Sequence, residues 1–340
     1  MATMKDVAKL ASVSTSTVSH VINGTRFVSD DIAKRVQDAA QQLNYHGPSA
    51  VARSLKQNCT KTIGMLVTTS TNPFYAEVVQ SVEQACYQQG YNLILCNTEG
   101  DAQRLKRSLS TLIERRVDGL IMMCAMLEGD DAQIYRRLGG LPVVVMDWGE
   151  VDFSCDRIQG HSRQGGILAT QYLIDNGHSE IGCITGPRNR QQANLRYQGF
   201  VDAMNAANLP INPAWVIEAN FETEGGKAAF AKLQAQGELP SALFVCNDMM
   251  AIGVLHEAQR SGVQIPQQLS VIGYDNIQLA KFMTPALTSI HQSKARLGAA
   301  AVNALIARLH EPHLPPQFMD IEPRVTERAS VASNEVKVKN

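Results

Sequence analysis

From Thr62 onward the chain repeats one unit, a short and continuously apolar run followed by a polar or amphipathic stretch. Thr62-Ile-Gly-Met-Leu-Val, Tyr91-Asn-Leu-Ile-Leu-Cys, Asp118-Gly-Leu-Ile-Met-Met and Pro142-Val-Val-Val-Met lack the alternation of a strand with one wet face. Both faces of such strands are apolar, which fits a parallel sheet covered by helices on each side. The pattern resumes with Ile181-Gly-Cys-Ile-Thr, Ala242-Leu-Phe-Val-Cys and Ser270-Val-Ile-Gly-Tyr, separated by helices around 190–207 and 247–262. Two doubly wound α/β lobes are expected.

Residues 4–45 carry helical periodicity only. Val7, Ala8 and Ala11 share one helical face and Val18, Val21 and Ile22 another, and the two short helices meet at Val13. Ser14 is a natural N-cap for the second helix, and the Ala-Ser-Val-Ser junction is short enough for a steep helix-turn-helix. The polar face of the second helix presents Thr15, Ser16 and His20, hydrogen-bonding groups at the spacing that faces a major groove. Ser29-Asp-Asp opens a third helix whose Ile32, Val36, Ala40 and Leu43 close a miniature core. From pattern alone, an ordinary helical hairpin with a Ser/Thr-rich surface remains an equal reading. Pro48 to Lys56 reads as a short linker helix, marginal in water without a partner surface. The expected division is 1–46 for the helix-turn-helix, 47–60 for the hinge helix and linker, 61–330 for the two lobes, and 331–340 for a flexible tail.

A chain of 340 residues with 44% hydrophobic content requires two or three packed units. Its net charge of -1 conceals an asymmetry: residues 1–60 carry seven Lys/Arg against four Asp, a balance of +3, and the other 280 sum to -4. A basic end on an acidic body points to a polyanion at that end. The seven cysteines are scattered and form no C-x-x-C pair, as reduced thiols would be. The N-terminus has no basic-then-apolar run, and no stretch approaches the ~20 apolar residues of a membrane span, so a cytoplasmic protein without membrane contact is expected.

The stretch from Asp6 to Asn23 meets the pattern D-V-A-x-x-A-x-V-S-x-x-T-V-S-x-V-[IL]-N and strongly resembles the head of the LacI/GalR family of bacterial repressors. The resemblance implies that Thr15, Ser16 and His20 read base edges while Thr17 and Ser19 hold phosphates. It also implies a hinge helix whose Leu55 wedges into the minor groove and kinks the duplex, with Val51 and Ala52 packing against a partner subunit. The fold it implies is a small all-α helix-turn-helix headpiece joined to an α/β sensor, like periplasmic binding proteins, of two doubly wound parallel-sheet lobes. The partners it implies are palindromic operator DNA, a small-molecule sugar effector and a second copy in a homodimer. The tail lacks the leucine heptads of a tetramerising coil, which favours the dimer. One departure is the spacing Tyr45-His46-Gly47-Pro48, one residue longer than the family's Y-x-P.

Open α/β sheets bind ligands at the carboxyl ends of their strands. The candidates at those places are Asn72, Phe74, Tyr75, Asp147, Trp148, Arg196, Phe221, Asn247, Asp275 and Gln292. Taken singly, Phe74 and Phe221 also read as core rings, Arg196 and Asp275 as a structural ion pair, Asn247 as an N-cap, and Trp148 as packing at a subunit surface. As a set they resemble the constellation that bacterial ribose-binding proteins present to ribose, in the Asn-Pro-Phe start, the A-x-x-R-x-x-G arginine, the N-D pair and the final glutamine. Ribose is therefore the effector that the resemblance implies, with ribose-responsive members of the family sharing Ser70-Thr-Asn-Pro-Phe-Tyr75 and Leu93-Ile-Leu-Cys-Asn-Thr-Glu-Gly100. Purine-responsive members share the Asp147-Trp148 context, His20 and much of the hinge, which keeps a purine corepressor as the alternative. A second departure is Gly160-His161, where relatives commonly carry Asp-Asn.

No G-x-G-x-x-G follows a strand, no G-x-x-x-x-G-K-[ST] occurs, and no H-E-x-x-H is present. Gly160-His-Ser-Arg-Gln-Gly165 spaces its glycines one residue too far for a nucleophile elbow. Neither an enzyme nor a metal or cofactor site is expected.

Overall fold

A computed structural model describes residues 2–45, 59–124, 138–147 and 154–334. The chain divides into two compact units, Met1–Lys61 and Thr62–Asn340.

In the first unit, α1 (Met4–Leu10) is opened by a capping box in which Thr3 and Asp6 satisfy each other's backbone N–H groups. Ser14 caps α2 (Thr15–Asn23) by accepting from Thr17 N at 3.1 Å, and Gly24 ends it in the left-handed conformation, φ 61°. Ser29 precedes α3 (Asp30–Gln42) and makes no side-chain cap bond. Val7, Ala8, Ala11, Val18, Val36 and Ala39 form the miniature core, ringed by half-buried Val21, Ile22, Ile32, Ala40 and Leu43. Ala39 is thus the buried alanine of α3 and the periodically expected Ala40 lies beside it. The 3.6-residue repeat leaves adjacent positions almost equally placed at the edge of a narrow apolar stripe. The Arg35 guanidinium donates to Ala11 O at 2.6 Å, clamping α3 over the turn between α1 and α2.

The second unit holds two six-stranded sheets. One has the strands β1 (Thr62–Val67), β2 (Asn92–Asn97), β3 (Gly119–Met123), β4 (Val143–Met146), β5 (Asp156–Gly160) and β11 (Phe318–Ile321), in spatial order β11-β5-β4-β3-β1-β2. The other has β6 (Ile181–Thr185), β7 (Val216–Glu218), β8 (Ala242–Val245), β9 (Ser270–Asp275), β10 (Thr288–His291) and β12 (Arg324–Thr326), in order β12-β10-β9-β8-β6-β7. All pairings are parallel except β10 with β12. The apolar runs have the two-faced burial expected of them except β2, an edge strand with no fully buried residue, whose Leu95 is exposed. Ile63, Met65 and Val67 of β1 face one cluster, which includes Val78 and Val82 of α4 (Pro73–Gln88). Leu66 faces Leu105, Leu109 and Leu112 of α5 (Ala102–Glu114) in another. Each fully buried side chain of this kind contributes about 1.5–3 kcal/mol.

Five strands, β5, β7, β10, β11 and β12, have no counterpart among the apolar runs. Among the described residues the chain passes between lobes three times. After β5 it enters α6 (Ser162–Asp175), which packs on α7 (Gln191–Ala206) beside the second sheet. After β10 it enters α10 (Lys294–His310), which packs on α4 and on β3, β4 and β5 of the first sheet. The third passage runs from β11 to β12. The remaining helices, α8 (Thr223–Ala235) and α9 (Asp248–Arg260), pack on each other in the second lobe.

Candidate effector site and DNA-reading helix

The carboxyl ends of β1, β4, β8 and β9 bring most of the expected ligand residues to the cleft between the lobes. Asn72 caps α4, its Oδ1 accepting from Phe74 N at 3.0 Å. That turn sets Phe74 and Tyr75 edge to face, with ring centroids 5.7 Å apart. Asp147 ends β4 with φ 45°, and Gly160 N of β5 donates to its Oδ1 at 2.6 Å. Burial pushes the Asp147 carboxyl up to about 6, against the pull of the Gly160 bond and of Arg196.

Arg196 reaches the cleft because α6 and α7 approach backbone to backbone. A Cβ on Gly166 would lie 2.2 Å from Arg196 O, and one on Gly199 2.1 Å from Arg163 O, so only glycine permits this crossing. The buried guanidinium donates to Cys246 O, stands 3.4 Å from Asp275 and lies 3.8 Å above the Tyr274 ring. Phe221 offers a second ring at 5.9 Å. The ion pair weighed for Arg196 and Asp275 is therefore present, inside the site. Burial raises the Asp275 carboxyl, while Arg196, Lys294 and the Gln292 amide oppose the rise. Gln292 Nε2 donates to Asp275 Oδ1 at 2.8 Å. Asn247 does cap α9, accepting from Met250 N, and its amide also donates to Phe221 O at 2.9 Å, which ties Phe221 to the site.

Three of these residues have left-handed backbone without being glycine: Asp147, Phe221 at φ 70° and Asp275 at φ 100°. Such strain costs about 1–3 kcal/mol per residue and persists where the surroundings over-determine it. Buried side-chain atoms without a hydrogen-bond partner include Arg196 Nε and Gln292 Oε1, with Thr185 Oγ1 and Gln192 Oε1 on the second lobe. An orphaned buried polar atom costs about 1–3 kcal/mol unless a ligand satisfies it. Tyr75 is influenced by charges from both lobes, Arg190, Asp147, Asp275 and Arg196, and burial raises its hydroxyl.

Sequence reasoning missed Tyr274, which forms the floor beneath Arg196 and is pushed up to about 12 by burial. It reads there as one more apolar strand residue. Arg190 was also missed; its guanidinium lies against Gly100 of the opposite lobe. Trp148 falls outside the described residues.

On α2, Thr15 and Ser16 are exposed, and the Ser16 hydroxyl also bonds Ser14 at 2.7 Å. His20 is half-buried, its Nδ1 2.9 Å from Thr25 Oγ1. The Thr17 hydroxyl joins the cap at 2.8 Å from Ser14, and Ser19 accepts from Asn23 at 3.2 Å. Leu55, with Val51 and Ala52, lies outside the described residues, as do His46, Gly47 and Pro48.

Together, a helix-turn-helix unit and a two-lobed α/β unit with a polar cleft define a DNA-binding regulator with a sensor domain. Residues 3–48 match the model described as bacterial regulatory proteins of the lacI family, and residues 170–331 match a periplasmic binding protein-like domain. The ribose operon repressor of Escherichia coli (strain K12) is 51% identical over 330 residues, covering 97% of this chain and 100% of its own. The HTH-type transcriptional repressor PurR of Pasteurella multocida (strain Pm70) is 50% identical over 333 residues, covering 98% and 99%. A LacI family regulator from Enterococcus faecium, solved with bound ribose, aligns at TM-score 0.72 and 29% identity over 80% of this chain and 99% of that one. The lac repressor dimer bound to operator shares the fold at TM-score 0.88 and 24% identity, over 97% and 99%. The chain belongs to the lacI family and is a transcriptional repressor, as these relatives are, and not an enzyme. Among the described residues no helix is long and apolar enough to cross a membrane, and no cluster of three metal-ligating side chains occurs.

Proposed function

We propose that this repressor senses ribose and leaves its operator when ribose binds. The observation that carries the reading is the buried arrangement of Asp147, Arg196, Asp275 and Gln292, with the orphaned Arg196 Nε and Gln292 Oε1, beside the rings of Phe221 and Tyr274. Acceptors and donors set next to ring faces suit a small polyol, whose hydroxyls pair with carboxylate, amide and guanidinium while its C–H faces meet the rings. The ribose operon repressor of Escherichia coli and the ribose-bound Enterococcus faecium regulator add support from relatives. Asn72, Tyr75, Trp148 and Asn247 complete the proposed site, the last by holding Phe221. At the DNA end, Thr15, Ser16 and His20 read base edges, Thr17 and Ser19 hold phosphates, and Leu55 enters the minor groove. A cytoplasmic homodimer presents two such heads to a palindrome.

The alternative is a purine corepressor, favoured by the 50% identity to PurR and by Arg190, a donor at the cleft that a purine carbonyl would accept from. Calorimetric titration with ribose, ribose phosphates, hypoxanthine and guanine separates the two. Ribose alone giving saturable heat supports the proposal. Binding of a base and not of ribose replaces it with the purine reading.

A further inference from the structure

Asp275 ends β9, and the turn it begins is held from both lobes: Arg196, Ser289, Arg328 and Asp248 of its own lobe meet Asp275, Asn276 and Ile277, and further groups reach it from the other lobe. Lys294, the first residue of α10 and nearly buried, donates from Nζ to Asp275 O at 2.8 Å and to Asn276 O at 2.7 Å. The same ammonium stands 3.3 Å from Glu77 Oε2. Glu77 lies on α4, two residues beyond Tyr75, and its other oxygen, Oε1, accepts from Gln278 N at 2.8 Å. That amide opens the 3-10 turn Gln278–Phe282 of the second lobe. One carboxylate of the first lobe therefore holds the segment 275–278 twice, directly at Gln278 and through Lys294 at Asp275 and Asn276.

The backbone held this way is strained, with Asp275 at φ 100° and Asn276 at φ 51°. It keeps that conformation only while its partners outweigh the strain. The partners are charge-assisted and largely dry, the Glu77 side chain being 20% exposed and that of Lys294 9%, so they are stronger than surface pairs. The helix that presents Asn72, Phe74 and Tyr75 is thus tied to the loop that presents Asp275.

We infer that Glu77 and Lys294 are positioning residues of the effector site, a bridge across the cleft that sets Asp275 against Arg196 and so fixes effector affinity without touching the effector. For its affinity arm this rests on the ribose reading; its structural arm does not.

The full-length protein is compared with Glu77→Ala, which removes both links, and Glu77→Gln, which keeps an acceptor for Gln278 N and loses the ion pair. Hydrogen exchange is followed over 276–283, with α9 as internal reference. The expected result is exchange over 276–283 at least tenfold faster in Glu77→Ala and intermediate in Glu77→Gln, with α9 unchanged. The ribose dissociation constant should rise at least tenfold in Glu77→Ala and less in Glu77→Gln. Should Glu77→Ala not fold, Glu77→Gln carries both measurements, and its smaller increases are then decisive. Unchanged exchange at 276–283 overturns the bridge; faster exchange with unchanged ribose affinity overturns its role in positioning. If the wild type gives no heat with ribose, the ribose reading fails alone, and the exchange arm still decides the bridge, with affinity read for whichever compound of the calorimetric panel binds.

Discussion

His20 has one ring nitrogen engaged by Thr25 Oγ1, which leaves Nε2 as the nitrogen for a base edge. In the proposed docking, the groove atom it would read depends on the tautomer: with Thr25 donating, Nε2 carries the proton and suits a purine N7 or O6. His20→Ala is expected to cost ~1–3 kcal/mol on the operator and to relax one position in each half-site, leaving nonspecific binding almost unchanged. Selection from a random DNA pool checks this, and an unaltered motif would place His20 outside the groove. Thr25→Val should preserve the ring and loosen its aim, so a smaller loss at that same position is expected in the same selection. Most charged and ring residues of the candidate effector site were picked out because they stand near a strand end or helix start; Arg196, in the second turn of α7, came instead from the A-x-x-R-x-x-G resemblance. Tyr274 and Arg190 were not. Tyr274 is buried like its strand neighbours, and nothing in an apolar run marks the residue whose ring meets a guanidinium. Arg190 lies in the polar stretch before α7, where a single arginine is unremarkable until the opposite lobe is placed beside it.

Among the elements, α9 is held at its start by a buried carboxyl. Asp248 accepts from Ser289 Oγ at 2.6 Å and from Ile277 N at 2.8 Å, joining α9 to β10 and to the loop after β9. Burial, with the nearby Asp275 charge, pushes it up to about 8 from 3.8. The unfolded chain then releases this proton near pH 4 while the native chain keeps it to about pH 8, so the native state binds more protons between those values. Stability from Asp248 is full below pH 4 and is lost as pH rises towards 8. In Asp248→Asn this dependence disappears, and the melting temperature of the wild type relative to the variant should fall from pH 5 to pH 8; a constant difference would contradict the shift. At the linker, Leu55→Ala is expected to weaken operator binding and reduce the bend, because the wedge makes the kink favourable. Circular-permutation mobility reads the bend, and an unchanged mobility would remove Leu55 from that role and direct attention to the longer Tyr45 to Pro48 spacing. The interior strands other than β5 and β10 were legible from their apolar runs, whereas β10, Thr-Ser-Ile-His, has a single aliphatic residue. The edge strands β7, β11 and β12 were not, being three or four residues long and partly exposed, and β5 alternates as Asp-Arg-Ile-Gln-Gly with only alternate residues fully buried.

At the scale of the whole molecule, the two-unit plan was legible because periodicity changes from helical to strand-and-helix at Thr62, next to the division after Lys61. The crossings at Gly160, Gln292 and Ile321 were not, since a strand passing to the other lobe has no compositional mark. Two of those crossings meet at the candidate site, where Asp147, Asp275, Gln292 and Lys294 cluster. An effector bound by Asp147 on one lobe and by Arg196 on the other has differential affinity for arrangements of the lobes, which is the requirement for shifting a conformational equilibrium. In the proposed reading, nine residues from Pro48 to Lys56 are too few for a helix that is stable alone, and a second copy would be needed for them to fold over the minor groove. On that proposal, a change in the lobes that separates two such linkers would melt the hinge. By linkage, a ribose inducer as proposed must bind the operator complex more weakly than the free repressor, by the same factor as it lowers operator affinity. A coupling of ~1–3 kcal/mol gives a ~5–150-fold change. Asp275→Ala should lose ribose binding and keep operator affinity, so that it represses with or without the sugar. Gel-shift titrations with and without ribose test both statements at one fixed salt concentration, because phosphate contacts make affinity salt-dependent. An operator affinity that ribose leaves unchanged and a purine base raises would reverse the sign of regulation, and Asp275→Ala would then fail to repress under any condition.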